Sequence, residues 1–240
     1  MRRSFLLCAL FLGACVVHPA PVCGGNISPV GTWQVSVLGS DRGIIMMTFS
    51  NNFTVSGYGI TRKDFGLFTL AGTWGFNNKG DVVVSYVETA NGVGSGFTLT
   101  ARMLSADRFR GKAMSPSGSY RCNGEQPESL PDLSGTWNGT VERKGKNLNE
   151  TFTAATLSSN SPAVFDISGQ GLSGTGSYTL SGTIIVSSEN KVNAVIDRTF
   201  GTDTRHSSLS GVFKPGHSGD QIRLQGTDNT GAHISETATQ

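Results

Sequence analysis

Residues 31–33 read Gly-Thr-Trp, and residues 135–137 read Gly-Thr-Trp again. Three further blocks follow each copy in the same order. Phe53-Thr54-Val55-Ser56-Gly57-Tyr58-Gly59 returns as Phe165-Asp166-Ile167-Ser168-Gly169-Gln170-Gly171. Phe68-Thr69-Leu70-Ala71-Gly72-Thr73 returns as Tyr178-Thr179-Leu180-Ser181-Gly182-Thr183, and Ser105-Ala106-Asp107-Arg108-Phe109-Arg110 as Ser218-Gly219-Asp220-Gln221-Ile222-Arg223. Preserved order with gaps only between blocks marks an internal duplication. The copies span 28–122 and 132–240. Between them, residues 123–131 carry Gly124, Glu125, Pro127, Glu128 and Pro131, the composition of a linker.

Each copy reads as short strands. Val82-Val83-Val84-Ser85-Tyr86-Val87 is an apolar run behind Gly80-Asp81, and Phe97-Thr98-Leu99-Thr100-Ala101 alternates with period two. Asn77-Asn78-Lys79-Gly80 and Asn91-Gly92 are hairpin turns, because Asn and Gly tolerate positive φ. Gly makes up 32 of 240 residues, nearly twice the usual ~7%. Turn signals at this density leave room for about eight strands per copy. The fold class expected is all-β: two tandem antiparallel β-barrels, since closure removes exposed sheet edges.

Gly-Thr-Trp at the head of a small antiparallel barrel resembles the calycin group, the lipocalins and avidins, in which a first-strand Trp plugs one end. That resemblance implies a plug role for Trp33 and Trp137. It also aligns Arg110 and Arg223 with the lipocalin Arg that packs on this Trp. Avidin-type biotin binding does not carry over, because the remaining Trp74 lies midway through the first copy.

The N-terminus reads as an export signal. Arg2 and Arg3 precede ten uncharged residues, 4–13, which rise about 15 Å as a helix, half of a bilayer core. Leu12-Gly13-Ala14-Cys15 resembles the bacterial lipobox, which implies a signal at 1–14, an acylated Cys15, and a tether at 15–27. The expected location is the bacterial cell envelope, with a secreted soluble protein as the alternative and the lipid anchor as the only membrane attachment. Cys8 falls in the signal, so Cys23 and Cys122 remain as one pair, expected to form a disulfide that staples the first barrel.

Charge narrows the function classes. Lys/Arg and Asp/Glu balance at 17 each beyond Arg3, which argues against nucleic-acid binding. The balance is uneven between copies: nine Lys/Arg against five Asp/Glu in 28–122, and eight against ten in 132–240. Arg108, Arg110 and Lys112 alternate with Phe109, Gly111 and Ala113, so a strand there presents three cations on one face. That face is a candidate interaction patch for anionic lipid or glycan.

No catalytic, metal or cofactor site is expected. Gly169-Gln170-Gly171-Leu172-Ser173-Gly174 has GxGxxG spacing, but a strand pattern follows where a helix is needed. His206, His217 and His233, with Asp203 and Asp220, lack any ligand spacing and have no counterparts in the first copy. Two non-enzymatic functions stand. One is binding of a small apolar, lipid or glycan ligand inside the barrels; the other is a structural or assembly role with packed cores and an envelope protein as partner. An unrecognised hydrolase or metal enzyme is the third. An interior pocket above roughly 300 Å³ decides for ligand binding.

Overall fold

The computed structural model describes residues 27–240 except 40–41, 62–65, 159–162, 175 and 218. The first copy forms β1 (Gly31–Leu38), β2 (Gly43–Phe49), β3 (Thr54–Thr61), β4 (Gly66–Phe76), β5 (Val82–Ala90), β6 (Val93–Ser105), β7 (Arg108–Ser115) and β8 (Gly118–Glu125). The second forms β9 (Gly135–Arg143), β10 (Lys146–Thr156), β11 (Val164–Ser173), β12 (Gly176–Val186), β13 (Lys191–Phe200), β14 (Asp203–Lys214), β15 (Gln221–Asp228) and β16 (His233–Thr239). Within each copy every strand pairs antiparallel with the next in sequence. Closure comes from β8 on β1, with Cys122 opposite Val37, and from β16 on β9, with Glu236 opposite Val141. Two closed eight-stranded barrels result. β8 continues through Glu125, three residues into the stretch read as a linker.

The repeat blocks are the places where this geometry constrains side chains most. Gly59 and Gly171 face inward at a bend, where a Cβ would lie 2.2 Å from the ring of Phe68 or of Tyr178. Glycine there makes room for the aromatic that begins the next matched block. Asn91 and Gly92 both adopt left-handed φ, +50° and +76°, as a tight primed turn requires.

The barrels also share a core. On β2 and β3 the inward residues Ile45, Met47, Phe49 and Val55 belong to the first interior. Their outward neighbours Ile44, Met46 and Ile60 are equally buried, in one continuous cluster with Val164 and Ile185 of the second barrel. Polar contacts border this seam. The Ser188 backbone N–H donates to Gln34 Oε1 at 2.7 Å, and its hydroxyl to Glu125 Oε1 at 2.6 Å. The repeat therefore builds one packed unit with an apolar interface.

Candidate functional site

Each barrel buries a tryptophan near the start of its first strand. Trp33 and Trp137 are fully buried, and each indole N–H donates to the carbonyl four residues earlier, Pro29 at 2.6 Å and Leu133 at 2.9 Å. A matched glutamine closes each plug: Gln126 Nε2 donates to the Val30 carbonyl at 3.0 Å, and Gln240 Nε2 to that of Ser134 at 2.7 Å. A Cβ on Gly31 or Gly135 would run into those amides. The ring on Trp33 is Phe109, with centroids 4.9 Å apart. Trp137 packs near Phe152 and Phe213. Arg110 and Arg223 point outward and are exposed, so neither is the Trp-packing Arg that the lipocalin resemblance suggested. Strand alternation decides this, since Phe109 and Ile222 hold the inward positions.

The opposite end of the first barrel holds a cavity of about 40 Å³, lined by residues that include Thr61, Tyr86, Glu88, Phe97, Tyr120 and Cys122. The Thr61 hydroxyl is buried there without a hydrogen-bond partner. Burial pushes the Cys122 thiol up to about 11, and burial together with the nearby Glu88 carboxylate raises Tyr86. Among the described residues Cys122 makes no disulfide, and its side chain is buried inside the barrel. Its expected disulfide partner, Cys23, lies outside the described residues, as does Cys15. Larger depressions, of about 520 and 470 Å³, lie on the outer walls of β4–β7 and β9–β12 and open to solvent.

The corresponding level of the second barrel is filled by an ion cluster. Arg198 Nε and Nη2 grip the two oxygens of Glu150 at 3.0 Å each, and Nη2 also reaches Glu236 Oε2 at 2.7 Å. The Tyr178 hydroxyl donates to Glu150 Oε2 at 3.1 Å. All four residues are buried, and Arg198 Nη1 and Glu236 Oε1 have no partner. Burial dominates at Glu236 and pushes its carboxyl up to about 8, against the opposing pull of Arg198. Nearby, Arg143 pairs with Asp228 at 2.6 Å. Burial alone would raise Asp228, yet hydrogen bonds from Thr230, Ala232 and Arg143 hold it at about 2.

Sequence reasoning missed this cluster although a signal was present. Leu148, Glu150, Phe152 and Ala154 share the inward register of β10, as do Ala194, Ile196 and Arg198 on β13 and Ile234, Glu236 and Ala238 on β16. A charge in the apolar register of an alternating strand is either an error of phase or a buried ion.

The remaining candidates scatter. His206 bonds Asp197 on the outer wall at 2.7 Å, Asp203 pairs with Arg205, and Asp220 accepts from Gly216 N–H. His217 and His233 are exposed. Among the described residues no three His, Cys, Asp or Glu converge as a metal site. The stretch 169–174 belongs to β11 and its turn, and a strand follows it. Arg108, Arg110 and Lys112 do share the exposed outer face of β7.

No protein-family model and no curated protein matches the chain. Among solved structures it is similar to a redesigned β-barrel, mFAP1, bound to DFHBI (19% identity, TM-score 0.39), over 45% of this chain and 94% of that one. It is also similar to a second redesigned β-barrel (18%, TM-score 0.37), over 45% and 90%. A third similarity is to a protein of unknown function of the DUF3598 family from Nostoc punctiforme (11%, TM-score 0.25), over 88% and 96%.

Proposed function

We propose that this chain is a non-catalytic, calycin-like double barrel of the bacterial cell envelope, anchored through an acylated Cys15, whose role is structural and exercised from its outer walls. The observation that carries this reading is the occupancy of both interiors by the chain's own side chains. A tryptophan is fully buried in each barrel, the Glu150–Arg198–Glu236 cluster is buried in the second, and the cavity beside Cys122 in the first measures about 40 Å³. Sites for drug-sized ligands start near roughly 300 Å³. Protein purified natively from envelopes should therefore show, by intact and native mass spectrometry, an acylated chain beginning at Cys15 with no bound small molecule. A stoichiometric lipid or glycan in the native spectrum overturns the packed-core reading; an unmodified chain beginning near Pro21 overturns the anchor.

One observation favours a second reading, in which the first barrel holds a ligand of a few heavy atoms. It is the buried, unpartnered hydroxyl of Thr61, a residue that lines the cavity with Tyr86 and Cys122.

A further inference from the structure

The outer face of β6, β7 and β8 concentrates positive charge. Arg102 lies directly opposite Arg110, and Lys112 directly opposite Arg121, while Arg108 faces Glu125. All five cations are exposed, and Arg102 reaches only the Asp81 carboxylate, at 3.7 Å. Arg110, Lys112 and Arg121 have no acidic partner among the described residues. Like charges in directly opposed positions destabilise a sheet.

The duplication supplies an internal control. Register matching of the copies places Val212 where the first has Arg102, Gln225 in place of Lys112 and Ser235 in place of Arg121, with Arg223 retained at the Arg110 position. The same barrel closes without this charge, so closure does not require it. The face also adjoins the entry of the chain. The Gln126 side chain bonds Val30, at the head of β1, and its backbone N–H bonds the Asp107 carbonyl next to Arg108. Exposed Leu104 and Met114 flank the basic rows.

We infer that the β6–β8 face of the first barrel docks on an anionic membrane surface, with Arg102, Arg108, Arg110, Lys112 and Arg121 meeting lipid phosphates. Charge complementarity supplies the attraction, and each cation near an anionic leaflet strengthens it. The choice of a membrane over another polyanion rests on the proposed Cys15 anchor and on the apolar flanks Leu104 and Met114. A single acyl chain binds membranes only marginally, so a basic face is the kind of second signal that makes attachment stable.

The test uses the full chain carrying Cys15→Ser, so that no acyl group contributes, in co-sedimentation with phosphatidylcholine vesicles with and without phosphatidylglycerol. The parent should bind the anionic vesicles and be released by salt. Arg102→Gln, Arg110→Gln, Lys112→Gln and Arg121→Ser together should lower that partitioning by roughly tenfold or more, with the melting temperature equal to the parent's or higher, whereas Arg223→Gln should leave partitioning intact. Salt-insensitive binding of the parent, or equal partitioning onto phosphatidylcholine alone, overturns the inference even where the multiple variant fails to fold. Retention on a soluble polyuronate with no vesicle binding overturns it in favour of an acidic polysaccharide. Because acylation is absent throughout, failure here is separable from failure of the anchor.

Discussion

Glu88 and Arg198 hold the same station in the two copies: Glu88 lies opposite Leu70, Arg198 lies opposite Leu180, and the two leucines are matched within the repeat. The same matching sets Ile45 against Glu150 and Cys122 against Glu236. One barrel thus closes over a buried Glu–Arg–Glu cluster and its twin over a half-buried Glu, an Ile and a Cys. The fold does not depend on the cluster, but a chain that carries it depends on keeping it whole.

Removing one member should be costly and removing all three should not. Arg198→Met leaves the buried Glu150 carboxylate without its cation and is expected to destabilise the second barrel by about 3–5 kcal/mol. Glu150→Ile, Arg198→Met and Glu236→Leu together should return stability to within about 1–2 kcal/mol of the parent. Urea unfolding measures both. A single variant as stable as the parent would show that the ions are solvated in solution.

The cluster also sets a pH dependence. Glu236 is raised from 4.5 to about 8 on folding, so between those values the native state holds a proton that the unfolded chain has released. Stability then falls as pH rises through that window. Asp228 works in the opposite sense: lowered from 3.8 to about 2, it contributes stability above 3.8 that is lost as pH drops toward 2. For these two groups together, stability peaks near pH 4. Glu236→Gln should abolish the decline between pH 4.5 and 8 while leaving the acid limb unchanged. Parallel slopes for parent and variant in urea titrations across that window would contradict the assignment.

The tryptophan plugs should behave alike. Trp33→Ala and Trp137→Ala each empty a fully buried site and are expected to cost about 3–5 kcal/mol. Intrinsic fluorescence and thermal melts report this; two variants that melt like the parent would remove the plug role.

Cooperativity between barrels should depend on Ile60, which is 1% exposed although its side chain points out of its own barrel. Calorimetry of the parent is expected to show one transition. Ile60→Glu buries an unpaired carboxylate in the shared core, so the single endotherm should split into two. An unchanged single endotherm would place the coupling elsewhere.

The fold was legible in the sequence because barrel geometry leaves local marks. Gly59 and Gly171 make room for Phe68 and Tyr178, Gly31 and Gly135 for Gln126 and Gln240, and these pairs recur at matched positions. The interface left no such mark. Ile44 and Met46 read as parts of an apolar run, Ile44-Ile45-Met46-Met47, which fits a strand buried on both faces as well as one hidden in its own barrel. Each member of the ion cluster carried a sign, a charge in the inward phase of its strand, but their meeting did not: Glu150, Arg198 and Glu236 are distant in sequence, and only the closed register of three separate hairpins brings them together. Arg108, Arg110 and Lys112 were visible as a stripe, while Arg102 and Arg121 join them only across strand pairs that alternation alone does not define.

Ser188 ties the second copy to the closed state of the first. Its two acceptors belong to opposite ends of the first copy, Gln34 on the opening strand and Glu125 on the last, and they meet only across the seam where β8 closes on β1. The turn bearing Ser188 therefore bridges the closing seam of the first barrel. Separating β8 from β1 would part the two acceptors, so full hydrogen bonding of Ser188 requires a closed first barrel.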